Sequence, residues 1–251
     1  MERIAEGFVL AEAPVAGPDG AVFVSDVIAG GVHRIDRDGT RTEVLPRRRG
    51  IGGMALAANG ELVVSGRSVL CGERELLGEQ AGVTGFNDLG VLPDGTLLVG
   101  ALTFHPGRGE PPVPGALFCG GERIDTPGIR WPNGIGVSPD GTTAYVSDFA
   151  DGTVHAGPLR GPWEPWARAP RGSCDGLAVD AEGGVWVALG PGAAIARFAP
   201  DGTAGELVEL DADFVSSVCF AGDELIVTTA TDVRCGSVGV AGSPIPLARS
   251  D

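Results

Sequence analysis

One turn pattern recurs along the whole chain, and its spacing constrains the fold more than any other feature. "GPDGAVFVSD", "AANGELVVSG", "LPDGTLLVGA", "SPDGTTAYVSD" and "DAEGGVWVAL" each set Asp, Asn or Glu just ahead of Gly and follow it with an apolar strand. "FAGDELIVTT" is a shortened sixth copy. The turn glycines are Gly20, Gly60, Gly95, Gly141, Gly183 and Gly222, separated by 40, 35, 46, 42 and 39 residues. Apolar runs such as "GIGVS" and "GLAVD" precede the turns, and Val-rich runs with period-two character follow them. A third strand and a second Asp-Gly turn often come next, at Asp38-Gly39 and Asp201-Gly202. Short strands in units of about 40 residues mark propeller blades. The expectation is an all-β chain: a six-bladed β-propeller with four-stranded blades and a central metal channel, forming one domain over residues 1–251. A β-sandwich has similar turn spacing but does not repeat one turn motif at this interval. "RIAEGFVL" precedes the first turn by too much to belong to the first blade, so it is expected to close the last one.

Composition narrows the function classes. The net charge of −15 opposes binding to phosphate backbones, so no nucleic-acid partner is expected. The short basic run Arg47-Arg48-Arg49 reads as a solvated loop. The chain has no lysine, which removes Schiff-base chemistry. Its five cysteines include no CxxC pair, so reduced and mostly buried thiols are expected. No apolar run is long enough for a membrane helix, and the start "MERIAEGFVL" does not read as a signal peptide. A cytoplasmic protein without membrane contact, monomeric or weakly homo-oligomeric, follows as the expectation.

Counting eight residues back from each turn glycine gives Glu12, Gly52, Asn87, Asn133 and Asp175, with Ser216 taking the place in the shortened last repeat. In a propeller this register is the start of the innermost strand, so the six positions should ring one mouth of the channel. Glu12, Asn87, Asn133 and Asp175 carry oxygen donors. Two carboxylates and two amides form a hard set suited to one divalent cation, with calcium first and magnesium, manganese or zinc as alternatives. Each Asn-Gly or Asp-Gly pair alone would be an ordinary turn former. Four in one register point to a metal site.

The segments "LAEAPVAGPDGAVFVSDV", "FNDLGVLPDGTLLVGA", "WPNGIGVSPDGTTAYVSD", "CDGLAVDAEGGVWVAL" and "SSVCFAG" resemble, in order, the senescence-marker-protein, gluconolactonase and luciferin-regenerating-enzyme family of six-bladed propellers. The resemblance implies a channel cation at Glu12, Asn87, Asn133 and Asp175, where in many members the residue in the place of Asn87 lies beside the metal and helps to hold substrate. It also implies a lactonase-like hydrolase acting on a small molecule. Two positions depart from the sugar-lactonase pattern: Gly85 stands where an Arg is usual, and His105 where a Glu is usual. The expected substrate is therefore less hydroxylated than gluconolactone.

Asp175 is the candidate general base and metal ligand, and His105 the additional acid–base and substrate-binding candidate. Trp131 and Cys174 are expected beside the substrate as apolar walls. "GSCDG" resembles a nucleophile elbow around Cys174, but a propeller strand rather than a helix follows it. Asp26 and Asp148 in "VSD" read as strand-end hydrogen-bonding residues, and His33 and His155 as structural. Three functions compete. The first is metal-dependent hydrolysis of a lactone or related ester. The second is a non-hydrolytic cyclase, isomerase or lyase reaction at the same metal. The third is a non-catalytic binding propeller.

Overall fold

The computed structural model describes residues 1–250 and contains six four-stranded antiparallel sheets. Blade 1 holds β2 (Ala11–Ala16), β3 (Val22–Asp26), β4 (Val32–Ile35) and β5 (Arg41–Leu45) in sequential order. Blade 2 runs from β6 (Met54–Leu56) through β7 (Leu62–Val64) and β8 (Val69–Cys71) to β9 (Arg74–Leu77). Blade 3 runs from β10 (Gly85–Val91) through β11 (Leu97–Leu102) and β12 (Ala116–Cys119) to β13 (Glu122–Asp125). Blade 4 comprises β14 (Pro132–Val137), β15 (Thr143–Asp148), β16 (Thr153–Pro158) and β17 (Glu164–Arg168). Blade 5 comprises β18 (Leu177–Val179), β19 (Val185–Ala188), β20 (Ala194–Phe198) and β21 (Ala204–Glu209). Blade 6 takes β22 (Val215–Ala221), β23 (Glu224–Thr229) and β24 (Asp232–Ser237), and β1 (Glu2–Glu6) pairs with β24 as its fourth strand. The ring is thus closed as expected, by a strand from the other end of the sequence.

The repeated turn has one geometry. Gly20, Gly60, Gly95, Gly141 and Gly183 each donate their N–H to the carbonyl three residues earlier, with φ between 72° and 84°. Only glycine enters that left-handed region cheaply. The preceding Asp or Asn accepts from the backbone two residues on, as Asp94 does from Thr96 at 2.9 Å. The last blade is different. Ala221 pairs directly with Glu224, leaving a two-residue turn, which is why that repeat is short.

Both faces of a blade are covered by neighbours, so its middle strands are apolar on alternate residues and on the residues between. In β19, Val185 and Val187 pack toward blade 4, and Trp186 and Ala188 pack toward blade 6. Six apolar clusters result, one at each blade–blade interface. The outermost strands are largely exposed, as in β5. All five cysteines are free, and four are buried. Among the described residues no helix is long and apolar enough to cross a membrane.

Residues 238–250 cross the lower end of the channel as a strap. Ser243 N–H donates to Val179 O, Ala248 N–H to Leu56 O, and Arg249 N–H to Gly95 O, each at 2.8–2.9 Å. Above the strap lies a cavity of about 440 Å³, lined by inner-strand residues such as Val15, Leu56, Val91, Val137 and Val179.

Candidate active site

The six register positions do meet around the axis, and a closed sequence of contacts joins each to the next blade. Ser25 Oγ lies 3.1 Å from Glu12 O and 2.8 Å from Ile51 O, tying Glu12 to the residue before Gly52. A Cβ on Gly52 would come within 2.6 Å of Asn87 Oδ1, so the missing side chain at Gly52 makes room for the Asn87 amide. Asn87 Nδ2 donates to Pro132 O at 3.0 Å, next to Asn133. Gly134 N–H donates to Asp175 O at 3.2 Å, and Gly176 N–H to Ser216 O at 2.9 Å. Ser216 Oγ returns to Ala11 O at 2.6 Å, beside Glu12.

Local backbone irregularity aims these side chains. Register shifts interrupt the inner strands between Glu12 and Val15, Phe86 and Leu89, Pro132 and Ile135, and Val215 and Ser217. Glu12, Asn87, Asn133 and Ser216 lie at these bulges, where a strand can redirect a side chain out of its regular alternation. In the other two blades the inner strand begins only at Met54 and Leu177, beyond Gly52 and Asp175. Carboxylates at strand ends fix the chain entering the ring. Asp26 accepts from Val9 N–H and Ala29 N–H at 2.8 Å, and Asp148 accepts from Arg130, Trp131 and Ala150 N–H at 2.9–3.0 Å. Both are structural, as their "VSD" contexts suggested.

Electrostatics set the ring apart. Glu12 and Asp175 are buried, and neither they nor Asp88 pairs with an arginine or histidine among the described residues. Burial raises the Glu12 carboxyl well above its usual range, with Asp175 and Asp88 adding repulsion and Ala13 N–H opposing it. Burial also raises Asp175, with Asp88 adding to it, while the Asn133 side chain and Gly176 N–H pull the other way. Burial pushes Asp88 up to about 7. Asp88 keeps some accessible surface, but that surface faces the lower cavity it lines, so desolvation still governs it. Asp88 was not singled out from the sequence, because it falls one residue outside the register.

Buried carboxylates without a countercharge are expensive. A hard cation among them would relieve that cost, and the donor set fits one. Among the described residues no group of three or more His, Cys, Asp or Glu side chains is placed to hold a metal, so amide oxygens would have to complete any cation site.

The remaining candidates fall in different places. Trp131 is half-buried at the upper mouth and stacks between Phe104, at 5.1 Å, and Phe149, at 4.7 Å. Phe149 in turn lies 6.3 Å from Phe214, so the wall around Trp131 is wider than the sequence suggested. Cys174, expected beside the substrate, is instead fully inaccessible. It packs in the interface between blades 4 and 5, and burial pushes its thiol up to about 12. That corrects its assignment as a pocket residue and removes it as a nucleophile. His105 opens a single-turn 3₁₀ helix (Pro106–Arg108) and lines a separate rim cleft of about 420 Å³ with Arg67, Glu79, Val83, Thr84 and Arg108. It does not join the ring contacts. His33 packs edge-on against Phe8 at 5.6 Å, and His155 is buried between strands.

The chain is 29% identical to 6-deoxy-6-sulfogluconolactonase of Pseudomonas putida over 90% of this chain and 84% of that protein. It is 28% identical to the pentonolactonase XacC of Haloferax volcanii, over 92% of this chain and 84% of that one. Its fold superposes on regucalcin, a calcium-binding protein of Agrobacterium tumefaciens, with a TM-score of 0.81 at 20% identity, over 98% of this chain and 96% of the other. Residues 6–231 match the SMP-30/Gluconolactonase/LRE-like region, and the chain belongs to that family.

Proposed function

We propose that this protein hydrolyses a lactone at the upper mouth of its channel, with one divalent cation held by Glu12, Asn87, Asn133 and Asp175. The observation that carries the reading is the convergence of the buried Glu12 and Asp175 carboxylates, which have no countercharge, with the Asn87 and Asn133 amides of the same register. Calcium is the first choice, since it takes about six to eight oxygen ligands and four side chains leave positions for water and substrate. Magnesium, manganese or zinc are the alternatives. The lactonase relatives and the calcium-binding regucalcin support the reading in kind.

Such a cation, when bound, polarises a carbonyl and makes a neighbouring water more acidic. The chain supplies the rest. Asp175 takes the proton from the attacking water and returns it toward the leaving alkoxide of the opened ring. The Asn133 amide stands beside Asp175 and favours its charged form. Asn87 is fixed by its bond to Pro132 O, which presents its Oδ1 toward the Gly52 side of the mouth. Trp131 and Phe149 form the apolar wall that excludes water. His105 lies in the rim cleft, so proton transfer is assigned to Asp175 alone.

The wall, together with Gly85 in place of a larger polar side chain, favours a substrate less hydroxylated than gluconolactone. The test is metal analysis of protein purified without chelator, followed by kcat/KM on gluconolactone and on alkyl and aryl lactones. One equivalent of cation, chelator-sensitive hydrolysis and a preference for the less hydroxylated lactones are expected. A metal-supplemented enzyme that opens no lactone above the spontaneous rate would overturn the proposal.

A further inference from the structure

The basic run Arg47-Arg48-Arg49 does not behave as one solvated loop. Arg47 and Arg49 are exposed, but Arg48 is half-buried and turned inward. Its Nη2 lies 2.7 Å from Ser68 O and 3.2 Å from Ser65 O, and its Nε lies 3.4 Å from Ser65 O. The loop that carries it is stitched to blade 1: Gly31 N–H donates to Arg48 O, and Gly50 N–H to Val27 O, both at 2.9 Å. A guanidinium has five N–H donors, and the bonds to these two carbonyls involve only Nε and Nη2, leaving Nη1 free. No carboxylate pairs with Arg48 among the described residues, although the chain has 33 acidic side chains to 18 basic ones. Partial burial lowers its pKa from an ordinary value far above neutrality, so it stays a cation.

Its position gives this free charge a use. A Cβ on Gly66 would sit 3.3 Å from Arg48 Nη2. Gly66 O accepts from Phe86 N–H at 2.7 Å, one residue from Asn87. A Cβ on Gly85 would meet only Gly66 O within 4 Å, at 3.7 Å. Between Arg48 and Asn87 the chain thus carries no side chain at Gly66 or Gly85, and the space a Gly85 side chain would take is open.

We infer that Arg48 is a specificity-determining residue that receives an oxyanion substituent of the substrate, a carboxylate or sulfonate, while the reacting carbonyl lies at the ring. This rests on the lactone-hydrolase reading. The guanidinium is half-buried and anchored through Nε and Nη2, which leaves the Nη1 N–H groups to donate to an oxyanion. The aromatic wall of Trp131, Phe149 and Phe214 lies on the side of blades 4 to 6, and Arg48 on the side of blades 1 to 3. The mouth is thus two-sided, with an apolar wall facing a cationic edge.

The test compares two lactones of one ring size, one carrying a carboxylate or sulfonate and one its neutral parent, on wild type, Arg48→Ala and Arg48→Lys. Wild type should prefer the charged lactone. Arg48→Ala should lose about tenfold or more in kcat/KM on it, the order expected for one charge-assisted contact, and stay near wild type on the neutral one. Arg48→Lys should recover part of the loss. An equal fall on both lactones would show a purely structural role and overturn the inference, and so would a wild-type preference for the neutral compound. If wild type opens neither lactone, the hydrolase reading has failed on its own. Calorimetric titration with the ring-opened form of the charged lactone then decides the Arg48 assignment. Binding lost in Arg48→Ala upholds it, and binding that is absent or unchanged overturns it.

Discussion

The two ends of the central channel are built from the same six inner strands and are chemical opposites. The upper end gathers Glu12, Asn87, Asn133 and Asp175 into a ring with uncompensated buried charge. The lower end gathers Val15, Leu56, Val91, Val137 and Val179 around an apolar cavity closed by the strap. Inner strands of three to seven residues reach from one end to the other. The upper ring residues lie at bulges or ahead of the regular pairing, and the lower residues lie within it. The residues proposed to act collect where the ladder is irregular, and packing keeps the part where it is regular.

The sharpest way to break this contrast is at the ring. Asp175→Ala should lower kcat by about 10²–10⁴-fold, the range for a positioned acid–base group. Far-UV circular dichroism should not change, because a mouth residue carries little of the blade packing. Near-normal turnover on the true substrate would erase the functional distinction between the two ends.

Asp88 lies between the ends, so it reports on their electrostatic coupling. Its folded pKa is raised from 3.8 to about 7 by burial. The folded state therefore holds the proton more tightly than the unfolded chain. That contribution is fully present below about pH 4 and is lost as pH rises through about 7. It amounts to up to about 4 kcal/mol. In metal-free protein, Asp88→Asn should flatten the fall in Tm across this window relative to wild type. Parallel wild-type and mutant Tm curves would show that Asp88 is not desolvated between the two ends.

The lower end should matter for stability alone. Deleting residues 238–251 removes the six backbone bonds that tie the strap to the blades, at Val179, Leu56, Gly95, Gly222, Ala58 and Ala181. At about 0.5–1.5 kcal/mol net per bond, less the entropy released, a loss of about 3 kcal/mol is expected. That corresponds to a fall in Tm of about 6–12 °C, with kcat per folded molecule retained. Loss of catalysis in still-folded protein would mean that the strap also shapes the upper mouth.

The smallest effect is expected at Cys174→Ala. A buried thiol in the interface between blades 4 and 5 should cost about 1 kcal/mol in stability when trimmed. kcat/KM should be unchanged, and a large catalytic defect would return Cys174 to the substrate pocket.

Several parts of this architecture were legible in the sequence, because they rest on local rules. The turn glycines need positive φ, and the neighbouring Asp or Asn caps its own turn. That fixes the blade period and hence the ring register. The closing strand β1 followed from counting residues. Cys174 was misread because the neighbouring residues of "GSCDG" point in different directions. The backbone of Asp175 is tied into the ring, while the Cys174 side chain turns into the core. Asp88 was missed for a related reason, since it stands beside a register residue but looks into the lower cavity. Arg48 was misread because composition shows three equal arginines. Only the carbonyls of Ser65 and Ser68, in the next blade, distinguish the middle one.

The sequence by itself determined the all-β class, the six repeats and the register that carries Glu12, Asn87, Asn133 and Asp175, because turn chemistry and strand period act over a few residues. The tertiary structure alone decided which side chains become buried charges, which thiol is inert, and which arginine is anchored to backbone carbonyls of the next blade. Those outcomes depend on desolvation and on contacts between blades some 40 residues apart, and neither is encoded in any single segment of the chain.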